Sequence, residues 1–135
     1  MKILVIDDDV IDIPHMCDGF KQLRHEILHI KSVDELDQID KFKPQSLILD
    51  LMMPCKQLPK EKCNGGYTTG ASLYKDILYK RLIGVPFVVL TAAQTQTSVI
   101  QLAIQELSQY SEYRGIIEKG LTTEETIIEQ LEGAA

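Results

Sequence analysis

Five short apolar runs, separated by amphipathic segments, are the feature that most constrains the fold of this chain. They cover residues 3–6, 27–30, 47–49, 87–90 and 115–117. The first run is continuous and rich in β-branched residues, which is typical of a strand buried on both faces of a sheet. Strands that alternate with helices form a parallel sheet with helices on both faces and right-handed crossovers. We therefore predict an α/β fold with a doubly wound five-stranded parallel sheet, in which the second run is an edge strand.

The segments between these runs predict five helices. They cover residues 10 to about 24, 33–42, 71–81, 95–110 and a last helix that follows residue 122. Pro14 must then lie in the first turn of the first helix. Ser32 with Glu35, and Thr122 with Glu125, have the spacing of capping boxes at the starts of the second and fifth helices. On the fourth helix, the helical spacing places four apolar side chains inward: Val99, Leu102, Ala103 and Leu107.

The length and charge of the chain limit its class. A chain of 135 residues suggests one domain, residues 1–135, with a long irregular segment at about residues 55–69. The net charge of −6 disfavours nucleic acid as a direct partner. No apolar stretch approaches the ~20 residues of a membrane span, and the N-terminus does not resemble a secretory signal. We therefore expect a cytoplasmic protein that binds neither nucleic acid nor a membrane.

The chain contains three cysteines: Cys17, Cys55 and Cys63. An odd and sparse set fits reduced thiols in a reducing compartment. The close Cys-x2-Cys spacing of zinc sites is absent. We therefore interpret Cys55 and Cys63 as incidental loop cysteines.

Carboxylates follow two of the predicted strands at the point where each strand ends. Asp7 and Asp8 come after the first run, and Asp50 ends the third. If these strands are parallel neighbours, the carboxylates meet at one edge of the sheet, where doubly wound folds place their sites. Such a cluster cannot stay ionised without a compensating cation, and a divalent metal with oxygen ligands would supply it. Polar side chains also end the fourth and fifth strands, at Thr91 and Lys119, whereas Asp9 is better interpreted as a helix cap.

Together these residues resemble the receiver domain of two-component response regulators. Four pieces carry the resemblance, in order and at strand ends: residues 3–9, 47–54, 88–92 and 117–119. The resemblance covers residues 2 to about 131. It implies the flavodoxin-like strand order 2-1-3-4-5.

The resemblance also implies roles for individual residues. Asp50 would accept a phosphoryl group from a phosphohistidine on a partner histidine kinase or phosphotransfer protein, because a carboxylate can act as a nucleophile through an acyl phosphate. Mg²⁺ would be held by Asp7, Asp8, Asp50 and the backbone carbonyl of Met52. Lys119 and Thr91 would contact phosphoryl oxygens, and the small Ala92 would leave room for the group. The domain would then signal through a downstream effector protein, with no enzymatic activity beyond its own phosphorylation and dephosphorylation.

Three features depart from the receiver pattern. The segment between Asp50 and the third helix is long, and we favour a tolerated surface insertion over a loop that reshapes docking or covers the pocket. Ile116 replaces the Tyr or Phe that usually reports phosphorylation, so an aromatic switch is in doubt. Gly120 replaces a Pro that often follows a cis bond, and a cis bond before Gly is not expected.

Three functions remain open from the sequence. The first is a stand-alone phosphoacceptor, since the last helix ends near Leu131, although the full-length protein could be longer. The second is a degenerate receiver that acts as a phosphorylation-independent interaction module, which the changes at Ile116 and Gly120 favour slightly. The third is a Mg²⁺-dependent phosphatase. It is disfavoured because Met52 stands where such enzymes carry a second Asp as the acid/base.

Overall fold

The computed structural model of the protein describes residues 1–91 and 97–133. Five parallel strands form one sheet in the order β2-β1-β3-β4-β5. The strands are β1 (Lys2–Ile6), β2 (Glu26–Ile30), β3 (Ser46–Asp50), β4 (Phe87–Thr91) and β5 (Tyr113–Glu118). The predicted α/β class and strand order are confirmed, and β2 lies at an edge of the sheet as expected.

Helices connect these strands within the described residues. They are α1 (Asp12–Gln22), α2 (Ile39–Phe42), α3 (Lys60–Cys63), α4 (residues 69–81), α5 (Ser98–Leu107) and α6 (Glu124–Glu132). Single 3-10 turns precede α2 at Leu36–Gln38 and follow α3 at Asn64–Gly66. Helix α4 is α-helical over Thr69–Leu73, π-helical over Tyr74–Leu78 and α-helical again over Tyr79–Arg81.

Both faces of the sheet are covered by apolar layers, because successive side chains of a strand point to opposite faces. One layer joins strand residues with α2, α4 and α5: Leu4, Ile6, Leu47, Leu49, Phe87, Val89, Ile39, Leu73 and Leu107. The other joins them with α1 and α6: Ile3, Val5, Ile48, Val88, Ile13, Phe20, Ile127 and Leu131. The faces are therefore closed, and the carboxyl edge of the sheet remains for a polar site.

The second helix is shorter than predicted. Residues 33–35 are not helical, Leu36–Gln38 form a 3-10 turn, and the α-helix begins only at Ile39. The Asp34 N–H donates to Ser32 Oγ (3.2 Å), and the Lys31 N–H donates to Glu35 Oε1 (3.3 Å). Ser32 and Glu35 therefore close a turn before the helix instead of forming a capping box, since short polar side chains compete with helix for backbone groups.

The last helix begins one residue later than predicted. Thr123 is its N-cap, and its Oγ1 accepts the N–H of Thr126 (3.2 Å). The hydroxyl of Thr122 instead donates to the Glu118 carbonyl (3.3 Å). Two adjacent threonines offered two possible caps, and the capping box predicted from Thr122 and Glu125 was wrong.

Helix α5 is also shorter than predicted and turned relative to the expected apolar face. Its N-cap is Thr97, and the predicted start at Thr95 lies outside the described residues. Ile100 is buried together with the expected Ala103 and Leu107, whereas Val99 and Leu102 are 39% and 57% exposed. Apolar residues occur on several sides of this segment, so its periodicity allowed more than one inward face.

The cysteines differ from the expectation of three reduced thiols. Cys55 and Cys63 form a disulfide, with their Cα atoms 6.0 Å apart, because α3 brings Cys63 back toward Cys55. Cys17 is free and buried, and burial raises the pKa of its thiol to about 11.

Over residues 1–91 and 97–133, no helix combines the length and the hydropathy that crossing a bilayer requires.

Candidate functional site

Three carboxylates meet at the carboxyl edge of the sheet. Ile6 pairs with Leu49 across β1 and β3, so Asp7 and Asp50 follow at the same level of neighbouring strands. Carboxylate oxygens of Asp7, Asp8 and Asp50 lie within 4.8 Å of one another. The side chains of Asp7 and Asp50 are buried, and Asp8 is exposed. The structure therefore brings together the acidic side chains that the strand ends pointed to.

The backbone around Asp7 is fixed on both sides. Its carbonyl oxygen lies 2.8 Å from Nε2 of His29, and its Oδ1 accepts the Asp9 N–H at 2.9 Å. Asp9 Oδ1 accepts the N–H groups of Ile11 (2.8 Å) and Asp12 (2.9 Å). These two bonds lower the pKa of Asp9. The N-cap residue of α1 is Ile11, and Asp9 lies two residues before it, so Asp9 binds free N–H groups at the start of the helix without being its N-cap residue.

Lys119 supplies a positive charge to the cluster. Its backbone N–H donates to the Thr91 carbonyl (2.8 Å), which fixes the end of β5 beside the end of β4. Its Nζ lies 2.8 Å from Oδ2 of Asp7 and 3.5 Å from Oδ2 of Asp50. One ammonium group therefore faces three carboxylates, and negative charge remains in excess.

The pKa values of these groups show that it is unfavourable to hold the carboxylates ionised so close together. Burial, with the charge of Asp7 next, raises the pKa of Asp50 to about 8, against the opposing effect of Lys119. Burial and Asp7 also raise the pKa of Asp8. Burial lowers the pKa of Lys119, but its hydrogen bond to Asp7 and the charges of Asp50 and Asp7 outweigh this effect and raise it. Without a further cation, the pocket therefore favours a proton on Asp50.

A divalent cation with oxygen ligands fits this arrangement. Three carboxylates can donate oxygen ligands, and two of them are buried without enough positive charge to balance them. Met52 lies two residues beyond Asp50, and its N–H donates to the Asp50 carboxylate. The thioether of Met52 is a soft ligand that Mg²⁺ does not favour, so only the backbone carbonyl of Met52 is a candidate for the site.

The remaining predicted residues border the pocket. Thr91 is buried at the end of β4, and its Oγ1 donates to the Ile117 carbonyl over 3.4 Å. Ala92, which was expected to leave room for an incoming group, lies outside the described residues.

The segment after Asp50 forms one wall of the site. The Met53 N–H donates to the Gly66 carbonyl (3.1 Å), which folds the segment back onto the end of β3. A cleft of about 390 Å³ opens there, and Asp8, Met52, Met53, Pro54, Gly65, Gly66 and Tyr67 line it. The side chain of Tyr67 is 48% exposed at this cleft. The segment expected as a surface insertion therefore borders the site.

Sequence reasoning missed Gly70. Its N–H donates to the Leu51 carbonyl (2.9 Å), and a methyl group on its Cα would collide with the backbone carbonyl of Asp50. The start of α4 thus packs directly on the backbone of Asp50. The available signal was a glycine directly before the predicted start of the third helix at residue 71. A glycine at such a position is equally typical of a loop.

Comparisons with known proteins bear on the fold. No protein-family model and no curated protein matches the sequence. Among solved structures, chemotaxis protein CheY4 from Vibrio cholerae superposes with a TM-score of 0.67 at 15% identity, over 97% of this chain and 95% of that one. The signal receiver domain of a modulated diguanylate cyclase from Desulfovibrio desulfuricans gives 0.68 at 16% identity, over 97% and 90%. This chain has the receiver-domain fold.

NtrX from Brucella abortus, solved with ADP, gives a TM-score of 0.71 at 21% identity over 97% of this chain. The match takes in 27% of NtrX, so this chain spans about a quarter of that protein. At these identities the likeness establishes the fold, and the roles of individual residues rest on the geometry of the site.

Two of the expected departures from the receiver pattern are visible in the structure. Ile116 is 42% exposed on β5, and Gln130 Nε2 donates to its carbonyl (3.2 Å). Gly120 has a φ of +77°, and the described residues contain no cis peptide bond, as expected for glycine at this position. In this receiver fold, the backbone after Lys119 therefore turns through a conformation that favours glycine.

Proposed function

We propose that this protein is a phosphoacceptor receiver domain of a two-component phosphorelay. Asp50 takes a phosphoryl group from the phosphohistidine of a partner histidine kinase or phosphotransfer protein. Phosphorylation then changes the binding of a downstream effector protein. The observation that carries this proposal is the cluster of Asp7, Asp8 and Asp50 beside Lys119, at the carboxyl edge of a receiver fold.

The proposal includes the setting of the domain. Residues 1–135 act as one receiver domain, in the cytoplasm, with no direct contact to nucleic acid or a membrane. The domain is a signalling module, and its chemistry is limited to gaining and losing the phosphoryl group on Asp50.

The transfer requires a nucleophile and neutralised charge. A carboxylate oxygen of Asp50 attacks the phosphorus atom, the P–N bond of the donor breaks, and an acyl phosphate forms. The Lys119 ammonium lies 3.5 Å from Asp50 Oδ2, and in this proposal it stabilises negative charge on the transferred group. When bound by Asp7, Asp8, Asp50 and the Met52 carbonyl, Mg²⁺ would neutralise phosphoryl oxygens and favour the ionised form of Asp50.

We propose that the conformational change caused by phosphorylation begins at Thr91. Its hydroxyl now makes a long bond to the Ile117 carbonyl (3.4 Å), which a phosphoryl oxygen on Asp50 can replace. Since β4 and β5 are paired at Thr91 and Glu118, such a change would act where these two strands end. This route needs no aromatic side chain at Ile116.

Labelling with radioactive acetyl phosphate and Mg²⁺ tests the proposal. We expect the wild-type protein to take up one hydroxylamine-labile phosphoryl group and Asp50→Asn to take up none. Asp9→Asn is the matched control, because an asparagine keeps the oxygen that accepts N–H groups at the start of α1 and should label like the wild type. Equal labelling of Asp50→Asn, or an unlabelled wild type, would contradict the proposal.

A second prediction separates the role of Lys119 from metal binding. Lys119→Met should slow phosphorylation by about 10²-fold, because it removes a cation aimed at the developing charge. Its affinity for Mg²⁺, measured by calorimetry, should be equal or higher, because a competing cation 2.8 Å from Asp7 is gone. Loss of Mg²⁺ binding in this variant would show instead that Lys119 holds the pocket together.

A further inference from the structure

The disulfide is part of a closed ring of covalent and hydrogen bonds at the edge of the site. From Met53 the chain runs through Pro54 to Cys55, crosses the sulfur bridge to Cys63, and continues to Gly66. The Gly66 carbonyl then accepts the Met53 N–H at 3.1 Å, which closes the ring. The Thr68 N–H donates to the Cys63 carbonyl (3.0 Å) and links the next turn to the same ring. The bridge therefore fixes both the cleft beside Asp8 and the backbone next to Met52.

The surroundings of the bridge favour an anionic thiol as a reaction partner. Between the two cysteines the chain carries Lys56, Lys60 and Lys62 against one acid, Glu61, although the whole protein has a net charge of −6. Lys62 Nζ pairs with Asp76 Oδ2 (3.2 Å), so Lys56 and Lys60 supply the local excess of positive charge. Positive charge close to a cysteine stabilises its thiolate and attracts anions. Cys55 is partly exposed, whereas Cys63 is 1% exposed, so Cys55 is the more accessible of the two cysteines to an attacking thiol.

We propose that Cys55 and Cys63 form a reversible thiol–disulfide modification site that exchanges with an anionic low-molecular-weight thiol of the glutathione class. The oxidised state holds the cleft beside Asp8 in its open, ordered shape, and the reduced state releases residues 54–68. In the cytoplasmic setting proposed above, a bridge of this kind is typical of redox sensing more than of structural support. The sensing role and the link to phosphorylation therefore rest on the proposed function, whereas the exchange reaction itself rests on the bridge and its surroundings.

The exchange is balanced in two steps. A thiolate of the small thiol attacks Cys55 Sγ, the bond between the cysteines breaks, and Cys63 leaves as a thiolate that takes up a proton. A second small thiol attacks its partner sulfur in the mixed disulfide, which frees Cys55 and releases the oxidised small-molecule disulfide. Two electrons pass from two thiols to the protein bridge, and the reverse reaction consumes the small-molecule disulfide.

Thiol counting tests the exchange in the full chain. The protein is equilibrated with glutathione buffers, quenched in acid, unfolded, alkylated and weighed by mass spectrometry. We expect one alkylated cysteine, Cys17, with glutathione disulfide, and three with millimolar reduced glutathione. A bridge that resists reduced glutathione would make it a structural disulfide, and three free thiols under glutathione disulfide would show that it does not form. Either result overturns the proposal.

Hydrogen exchange tests the release of the segment. On reduction, the amides of Met53 and Thr68 should exchange at least about tenfold faster, because a short cross-link no longer limits their opening. Amides in the buried β1 provide the unchanged reference. The Cys55→Ser/Cys63→Ser double variant should match the reduced protein in both buffers, and unchanged rates in the reduced wild type would overturn the proposal.

Labelling by acetyl phosphate tests the consequence for Asp50. We expect the reduced wild type to label about fivefold more slowly than the oxidised protein, and the double variant to be insensitive to the buffer. Equal rates in both states of the wild type would overturn the link to the site. If no form of the protein labels, the proposed function fails, while the thiol counts and exchange rates still decide whether the modification site exists.

Discussion

As the pH rises from about 5 to about 8 in a chelator, the wild-type protein is expected to lose about 2–4 kcal/mol of its free energy of unfolding. The cause is Asp50, whose pKa is raised by burial and by Asp7 from 3.8 to about 8. Between these two values the folded protein keeps the proton, whereas the unfolded chain has lost it. Each step up in pH therefore favours the unfolded state, and the loss is complete once the folded carboxyl also ionises.

Urea unfolding at both pH values measures this loss, and Asp50→Asn is its control. The asparagine has nearly the same shape and no charge, so the variant should be more stable than the wild type near pH 8 and should lack most of the pH dependence. Mg²⁺ should restore the wild type, by about 2.7 kcal/mol at a hundredfold excess over its dissociation constant, and should leave the variant nearly unchanged. If the free energy of unfolding changed equally with pH in the two proteins, ionisation of Asp50 would not be the cause of the loss.

Gly70→Ala is expected to cost more than about 3 kcal/mol of unfolding free energy, although alanine favours helix over glycine by about 1 kcal/mol. The added methyl group would collide with the backbone carbonyl of Asp50 and approach the Cα of Leu51, and neither can rotate away. The start of α4 or the end of β3 must then move. The same variant should therefore also lose affinity for Mg²⁺, measured by calorimetry.

Gly19→Ala is the matched control for this prediction. Gly19 also lies inside a helix, α1, but a methyl group there meets the carboxylate end of Glu124, which is a flexible side chain. This variant should change stability by less than about 1 kcal/mol. If both variants lost a comparable amount of unfolding free energy, close packing against the Asp50 backbone would not explain the loss at Gly70.

Much of the fold could be predicted from the sequence because strands buried on both faces leave a strong local signal. The apolar run at Ile3–Ile6 and the run that ends at Asp50 require cover on two sides, and the helices between them supply it. Helix limits were less predictable, because they depend on which of several polar side chains captures a free N–H. Ser32 and Thr122 were both chosen by spacing, and both hydroxyls bond elsewhere in the structure.

The residues of the candidate site that lie at the ends of strands could be predicted from the sequence. Asp7, Asp8, Asp50 and Lys119 converge because parallel strands finish at one edge. The position of residues 54–68 beside the site follows from their place after Asp50, but the shape of the wall that they form could not be predicted, since it depends on how an irregular segment folds back. Neither the bond from Met53 to Gly66 nor the bridge between the cysteines has a periodic signal in the sequence.

The contact between Gly70 and the Asp50 backbone has a mechanical consequence. With no side chain between them, a displacement of the main chain at Asp50 cannot be absorbed locally and must push on α4. Helix α4 carries a π-helical stretch at Tyr74–Leu78, a register irregularity that can widen or tighten without unravelling the helix. We therefore expect a push at the acidic edge to be transmitted as a shift along this helix toward the opposite end of the sheet.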